Sequence, residues 1–139
     1  MAISQALTTS FKLDILDGVH DLNTDVIKVA LYTSAAVLNA TTTAYTTLNE
    51  TTGTAYVAGG NTLTGATITT SGTTAFATFD NSLWSAASFV ARGALIYNSS
   101  KAGKSIAVLD FGGDQTVSNG DFAVIFPAAN ATDAIIRIA

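Results

Sequence analysis

The chain has 139 residues, of which 48% are hydrophobic and only 12% are charged, and its net charge is −4. This length suits one domain with one core, and the absence of Cys excludes a disulfide framework and a thiolate metal site. The 6 Lys and Arg residues form no basic run, which disfavours direct nucleic-acid binding, and no apolar run approaches the ~20 residues needed to span a membrane.

The N-terminal segment contains the one predicted helix, within residues 3–17. Apolar residues recur at every fourth position and form one helical stripe: Ile3, Leu7, Phe11 and Ile15. In a shorter alternative, Ser10 is the N-cap, and Gly18 ends either helix in the left-handed conformation. The stripe either packs against the chain's own sheets or makes residues 1–22 an arm that docks on a neighbouring subunit.

The next segments predict strands separated by a long loop. Asp25–Thr33 alternates apolar and mixed positions, which is typical of a core strand. Residues 34–53 are rich in Thr and predict a loop that has a functional role or forms an interaction surface. Thr62–Thr69 predicts a strand with a bulge near Gly65, because its apolar residues do not share one face.

The second half of the chain predicts further strands. Thr74–Phe79 reads as a strand, and Asn81–Trp84 contains the single Trp, which we expect to anchor a loop or a sheet edge. Three apolar runs separated by turn residues then predict an up-and-down meander: Phe89–Tyr97, Ser105–Phe111 and Asp121–Phe126. Turns are expected at residues 112–114 and 119–120, and Asp133–Ala139 predicts the last strand.

These elements predict an all-β fold. About eight strands of this spacing are most economically arranged as an antiparallel two-sheet β-sandwich, jelly-roll-like, with a short N-terminal helix. No internal repeat or linker is visible, so residues 1–139 are expected to form a single domain.

Catalytic and metal-binding patterns are sparse. His20 is the only histidine and lies near acidic residues, but we expect it to cap the helix or bond a backbone carbonyl. The chain contains no Gly-x-Ser-x-Gly motif. Asp110, Asp114, Asn119 and Asp121 suggest calcium, but their spacing is not that of an EF-hand and is typical of turns. We therefore predict no enzyme activity, no bound metal and no cofactor.

Several segments carry a family resemblance. They are Phe11–His20, Lys28–Thr33, Arg92–Asn98, Ala107–Gly112 and Ala134–Ala139. In these segments, and so over most of its length, the chain resembles a group of small tailed-bacteriophage proteins of the virion. The resemblance implies a non-enzymatic virion component, and because the N-terminus does not resemble a signal peptide we expect assembly in the host cytoplasm.

Within that class, the leading hypothesis is a capsid decoration or cement protein. Its expected partners are other virion proteins, the major capsid protein above all, and further copies of itself, and a sparsely charged surface with 22 Thr suits such contacts. Alternatives are a neck, tail or fibre-attachment protein and a carbohydrate-binding β-sandwich. The expected contact elements are Ala2–Phe11 and Ala35–Gly53. The candidate interface residues are Ile3, Leu7, Phe11, Tyr45, Tyr56 and Trp84.

Overall fold

The computed structural model describes residues 2–139. Their elements, in chain order, are β1 (Ala6–Leu7), α1 (Thr9–Leu16), β2 (Ile27–Tyr32), β3 (Asn61–Thr62), β4 (Thr67–Ser71), β5 (Thr74–Thr78), β6 (Ser82–Asn98), a 3₁₀ turn (Ser99–Lys101), β7 (Lys104–Val124) and β8 (Ile136–Ile138). The strands form a five-stranded antiparallel sheet, β1-β7-β6-β2-β3, and a three-stranded one, β4-β5-β8. The predicted all-β, two-sheet fold with a short N-terminal helix is confirmed. No helix of residues 2–139 is long and apolar enough to cross a membrane.

A long hairpin of β6 and β7, with 17 and 21 residues, replaces the predicted three-run meander. The third run, Asp121–Phe126, does not fold back on the second. It largely continues β7, so that Phe122 lies opposite Trp84 of β6. Gly112 and Asn119, predicted as turn residues, have φ of 83° and 48° beside shifts of the pairing register. These residues form bulges because β6 offers partners on both sides of each irregularity.

Helix α1 is shorter than predicted, and its N-cap is a different residue. Thr8, rather than Ser10, is the N-cap, and its Oγ1 accepts the N–H of Phe11 at 3.2 Å. At the other end Gly18 has φ of 72°, as predicted. The next amide, of Val19, donates to the Asp14 carbonyl at 2.9 Å, which completes a Schellman cap.

The residues before α1 are extended, so the predicted helical stripe is wrong at its first two positions. Ile3 forms a parallel bridge with Leu38, and the N–H of Ser4 donates to the Leu38 carbonyl at 2.8 Å. Leu7 lies in β1 and pairs with Ala107 of β7. Backbone pairing outweighs the apolar spacing here because Leu38 and the edge of β7 provide hydrogen-bond partners for this segment.

Gly65 joins the two sheets and is not the bulge of one strand. The predicted strand Thr62–Thr69 is divided between β3 in the larger sheet and β4 in the smaller one. Gly65 has φ of +66°, and a Cβ at this position would lie 2.3 Å from the carboxyl group of Asp80. The chain therefore crosses between the sheets where only Gly fits.

The five-stranded sheet is covered on both faces. One face packs against α1 and the smaller sheet, with Phe11, Val29, Ile96 and Ile136 in one buried cluster. The other face is covered by the N-terminal segment and the loop of residues 34–53. Its cluster contains Ile3, Ala30, Tyr32, Ala36, Leu38, Leu95, Tyr97 and Val108. The loop thus has buried residues, which its sequence did not reveal.

Candidate interaction surfaces

The structure places all six candidate interface residues within or beside the chain's own core. Ile3, Phe11 and Trp84 are buried, and Leu7, Tyr45 and Tyr56 are half-buried against the core clusters. A partner that docks on the folded chain therefore meets other side chains first. Contact of these six residues with a partner stays a prediction.

Aromatic rings cover the indole of Trp84, which lies in β6 and is stacked against Tyr56 of the segment between β2 and β3. Its ring centroid lies 6.1 Å from that of Tyr56, 6.4 Å from that of Phe89 and 6.1 Å from that of Phe122. Sugars stack on aromatic faces that are open to solvent, and the buried indole does not offer such a face. The geometry thus gives the carbohydrate-binding alternative no support from Trp84.

A buried carboxylate brings Tyr45 and Tyr56 together. Glu50 accepts hydrogen bonds from the hydroxyls of Tyr45 at 2.7 Å and Tyr56 at 2.5 Å, and from the N–H of Gly59 at 2.7 Å. These donors compensate the desolvation of the charge. The network ties residues 45–59 to the sheet, because the Tyr56 hydroxyl also accepts the N–H of Leu31 at 2.9 Å.

All 4 tyrosines of the chain gather in this region. Tyr97 stacks on Tyr45 with centroids 4.6 Å apart and donates to the Gly59 carbonyl at 2.6 Å. Tyr32 donates to the Thr46 carbonyl at 2.6 Å. Burial, with the nearby Glu50 charge, raises the pKa of Tyr97 to about 12 and shifts the pKa of each other tyrosine upward as well.

His20 is buried between Asn98 and Asp14. Its Nδ1 lies 3.0 Å from Asn98 Nδ2, and Asn98 Oδ1 accepts the N–H of Ser100 at 3.0 Å. Asn98 therefore donates to Nδ1, which places the imidazole hydrogen on Nε2 and keeps the ring neutral. Nε2 has no hydrogen-bond partner within residues 2–139 and lies 3.8 Å from Asp14 Oδ2. Burial lowers the pKa of His20, and the predicted bond to a backbone carbonyl is replaced by the bond to Asn98.

Asn98 also holds Asp25 beside the hairpin loop. Its Nδ2 donates to Asp25 Oδ2 at 2.7 Å, and Lys101 Nζ lies 2.9 Å from both carboxylate oxygens. The Asn98 hydrogen bond is the main cause that lowers the pKa of Asp25 to about 2. This polar cluster fixes the connector after α1 to the end of β6.

Among the acidic residues considered for calcium, Asp110 stabilises the bulge of β7. Asp110 accepts the N–H of Gly112 at 2.9 Å and pairs with Arg92. The Gly112 bond first, and then Arg92, lowers the pKa of Asp110. Within residues 2–139, His, Cys, Asp and Glu form no group of three that could hold a metal ion.

The exposed aliphatic residues lie elsewhere. Among them, Leu13 and Leu16 on α1 are 66% and 87% exposed, and Val37 and Leu48 in the loop of residues 34–53 are also open to solvent. The first turn of the helix meets the loop, because the N–H of Thr9 donates to the Ala40 carbonyl at 2.8 Å, although the two elements cover opposite faces of the sheet. We call these four residues, Leu13, Leu16, Val37 and Leu48, the helix–loop surface.

No family model matches the chain, and neither a curated protein nor a solved structure matches it. Sequence reasoning missed Glu50 and Asn98 as organising residues. Glu50 had a visible signal, since it is the only charged residue between Lys28 and Asp80. Asn98 had no such signal.

Proposed function

We propose that the chain is a non-enzymatic structural protein of a tailed-bacteriophage virion that decorates and cements the capsid shell. The observation that carries this proposal is the helix–loop surface, where large aliphatic side chains remain open to solvent. The sequence resemblance supports the virion class. The low charge of the chain, with 12% charged residues, supports contacts made by apolar and backbone groups.

The mechanism is burial of this surface against subunits of the shell. Each Leu or Val that becomes covered contributes about 1.5–3 kcal/mol before the cost of association. A contact that exists only in the assembled shell stabilises the shell by mass action. Helix α1 suits such a contact because Ser10 Oγ lies 3.0 Å from Ser105 Oγ of β7, which helps to fix the helix on the sheet.

The test measures capture by empty shells assembled from the major capsid protein of the same phage. A Leu13→Ser/Leu16→Ser variant should keep its fold, since both side chains are exposed. It should lose at least tenfold in affinity for shells, because two apolar contacts of this size are worth more than ~1.4 kcal/mol. Leu83→Ser is the matched control, as Leu83 is an exposed Leu of β6 outside this surface.

Other outcomes separate the alternatives. Binding of the wild-type chain to purified necks or tails, and not to shells, would place it in the neck or tail. Binding to neither particle would contradict a virion role on this surface. Salt between 50 mM and 300 mM should change capture by shells only slightly, because the surface is apolar.

A further inference from the structure

The outer edge of β7 is mostly unpaired. Within residues 2–139, β1 pairs with this edge only at Ala107 and Val108, and no strand follows it toward Val124. Beyond β1, Gln5 Oε1 accepts the N–H of Asp110 at 3.2 Å. The Gln5 side chain thus bonds an amide of β7 where no backbone of β1 does, so this part of the edge offers its amides to a hydrogen-bonding partner.

A groove of about 600 Å³ lies along this edge. Its apolar lining comes from β7 and from the segment that follows it: Phe111, Val117, Phe122, Ile125, Phe126 and Ile135. Ile125 is 73% exposed, although its neighbours Val124 and Phe126 are buried. An edge strand beside an apolar groove is the arrangement that binds extended peptides by strand addition.

The groove is also acidic. Asp110 and Asp121 belong to its lining, and Asp114 lies in the bulge between Asp110 and Gln115. Arg92 pairs with Asp110, but Asp114 and Asp121 form no ion pair with a Lys, Arg or His of residues 2–139. A second copy of this chain that paired through the same edge would bring like charges together, which disfavours self-pairing.

We propose that this groove binds an extended, basic segment of a partner protein by strand addition to β7. The segment runs antiparallel to β7, as β1 does. The bulge at Asn119 interrupts the edge. The segment therefore pairs with Gly120–Val124, because the residues from Asp121 to Pro127 line the groove there. Alternate apolar side chains of the segment face the groove, and its Lys or Arg residues approach Asp121.

This proposal goes beyond a role in the shell and does not depend on it, since the helix–loop surface and the groove share no residue.

The probe is a fluorescein-labelled nonapeptide, blocked at both ends, that alternates Val with Lys. Its matched counterpart carries Glu in place of Lys. Fluorescence anisotropy with the full chain should show the basic peptide binding at least tenfold more tightly than the acidic one.

Variants and backbone chemistry locate the site. Asp121→Asn should weaken binding up to about fivefold, the range expected for one exposed ion pair, and Asp17→Asn on α1 is the exposed-carboxylate control. Ile125→Ser should also weaken binding, because Ile125 shares the strand face of Asp121 and meets the aliphatic stems of the Lys residues, and it should leave the fold intact because Ile125 is exposed. Amide hydrogen exchange of Gly120–Val124 should slow when the peptide binds.

Three results would each overturn the proposal. The first is no binding of the basic peptide at millimolar concentration. The second is undiminished binding of a peptide N-methylated at alternate residues on both faces, because strand addition needs its backbone N–H groups. The third is binding with no change of exchange in β7, which would place the peptide on another surface.

Discussion

Ile3 packs directly over Gly93 in the central strand β6. A Cβ added at Gly93 would lie 2.8 Å from Ile3 Cγ2 and 2.6 Å from the carbonyl oxygen of Leu109. The N-terminal segment therefore lies against a strand position that has no side chain. This relationship explains why Ile3 belongs to the core of the isolated chain.

Replacement of Gly93 by Ala should destabilise the fold. The added methyl group meets the Leu109 backbone as well as Ile3, so the neighbours must move, and overpacking of this kind costs about 1–3 kcal/mol. Urea unfolding measures the loss. Gly113→Ala is the control, because nothing lies within 4 Å of a Cβ at that position. Equal stability of the two variants would contradict the close approach.

Truncation of Ile3 tests whether the N-terminal segment serves the chain's own core. Ile3→Ala should cost about 2–5 kcal/mol, because Ile3 is buried. Deletion of residues 2–8 should lower the thermal midpoint by several degrees. Val37→Ala, at an exposed position, should leave the midpoint nearly unchanged. An unchanged midpoint after the deletion would favour an arm that docks on a partner.

Glu50→Gln should loosen the loop that covers the sheet. A Gln amide has one acceptor oxygen, whereas the Glu50 carboxylate accepts from Tyr45, Tyr56 and Gly59 through both oxygens. An unsatisfied buried donor costs about 1–3 kcal/mol. Hydrogen exchange of the Gly59 amide should accelerate more than that of the central β6 amides. A uniform change over the whole chain would show global unfolding only.

The tyrosines should titrate late. Burial raises the folded-state pKa of Tyr97 from 10.0 to about 12, and those of the other tyrosines also rise. The stability that they contribute is therefore complete below pH 10 and is lost as the pH rises through the folded-state values. Phenolate absorbance at 295 nm should rise little near pH 10 in folded protein. In denaturant it should show its midpoint there.

His20 should make the fold sensitive to mild acid. Burial lowers its folded-state pKa below 6.5, so the unfolded chain binds the proton first. The stability that neutral His20 contributes to the fold is complete above pH 6.5 and is lost as the pH falls through the lowered pKa. Urea midpoints between pH 7 and 5 should fall for the wild type. His20→Gln should remove this slope, although losses from carboxylates such as Asp25 at lower pH should remain.

The local features that the sequence predicted correctly are determined by residues that are close together in the chain. Gly18 ends α1 because its φ of 72° suits Gly. The strand within Asp25–Thr33 appears as β2 because its apolar residues fit a sheet that is buried on both faces. Local chemistry is sufficient for each of these features.

Other features needed residues that are distant in the sequence. Ile3 and Leu7 have helical spacing, yet Leu38 and Ala107 provide backbone partners that the spacing cannot reveal. Turn residues such as Gly112 became bulges because β6 pairs with β7 on both sides of them. The burial of the interface candidates was hidden in the same way, since burial of Trp84 depends on rings from other segments of the chain.

The sequence by itself determined the all-β class, the short helix near the N-terminus and a surface with few charges. Alternation, turn residues and composition act over a few neighbours, so they are visible in the sequence. Only the tertiary structure decided that Glu50 gathers Tyr45, Tyr56 and Gly59, and that β7 presents an open edge beside a groove. Both depend on which strands pair, and that choice is set by the burial of side chains far apart in the chain.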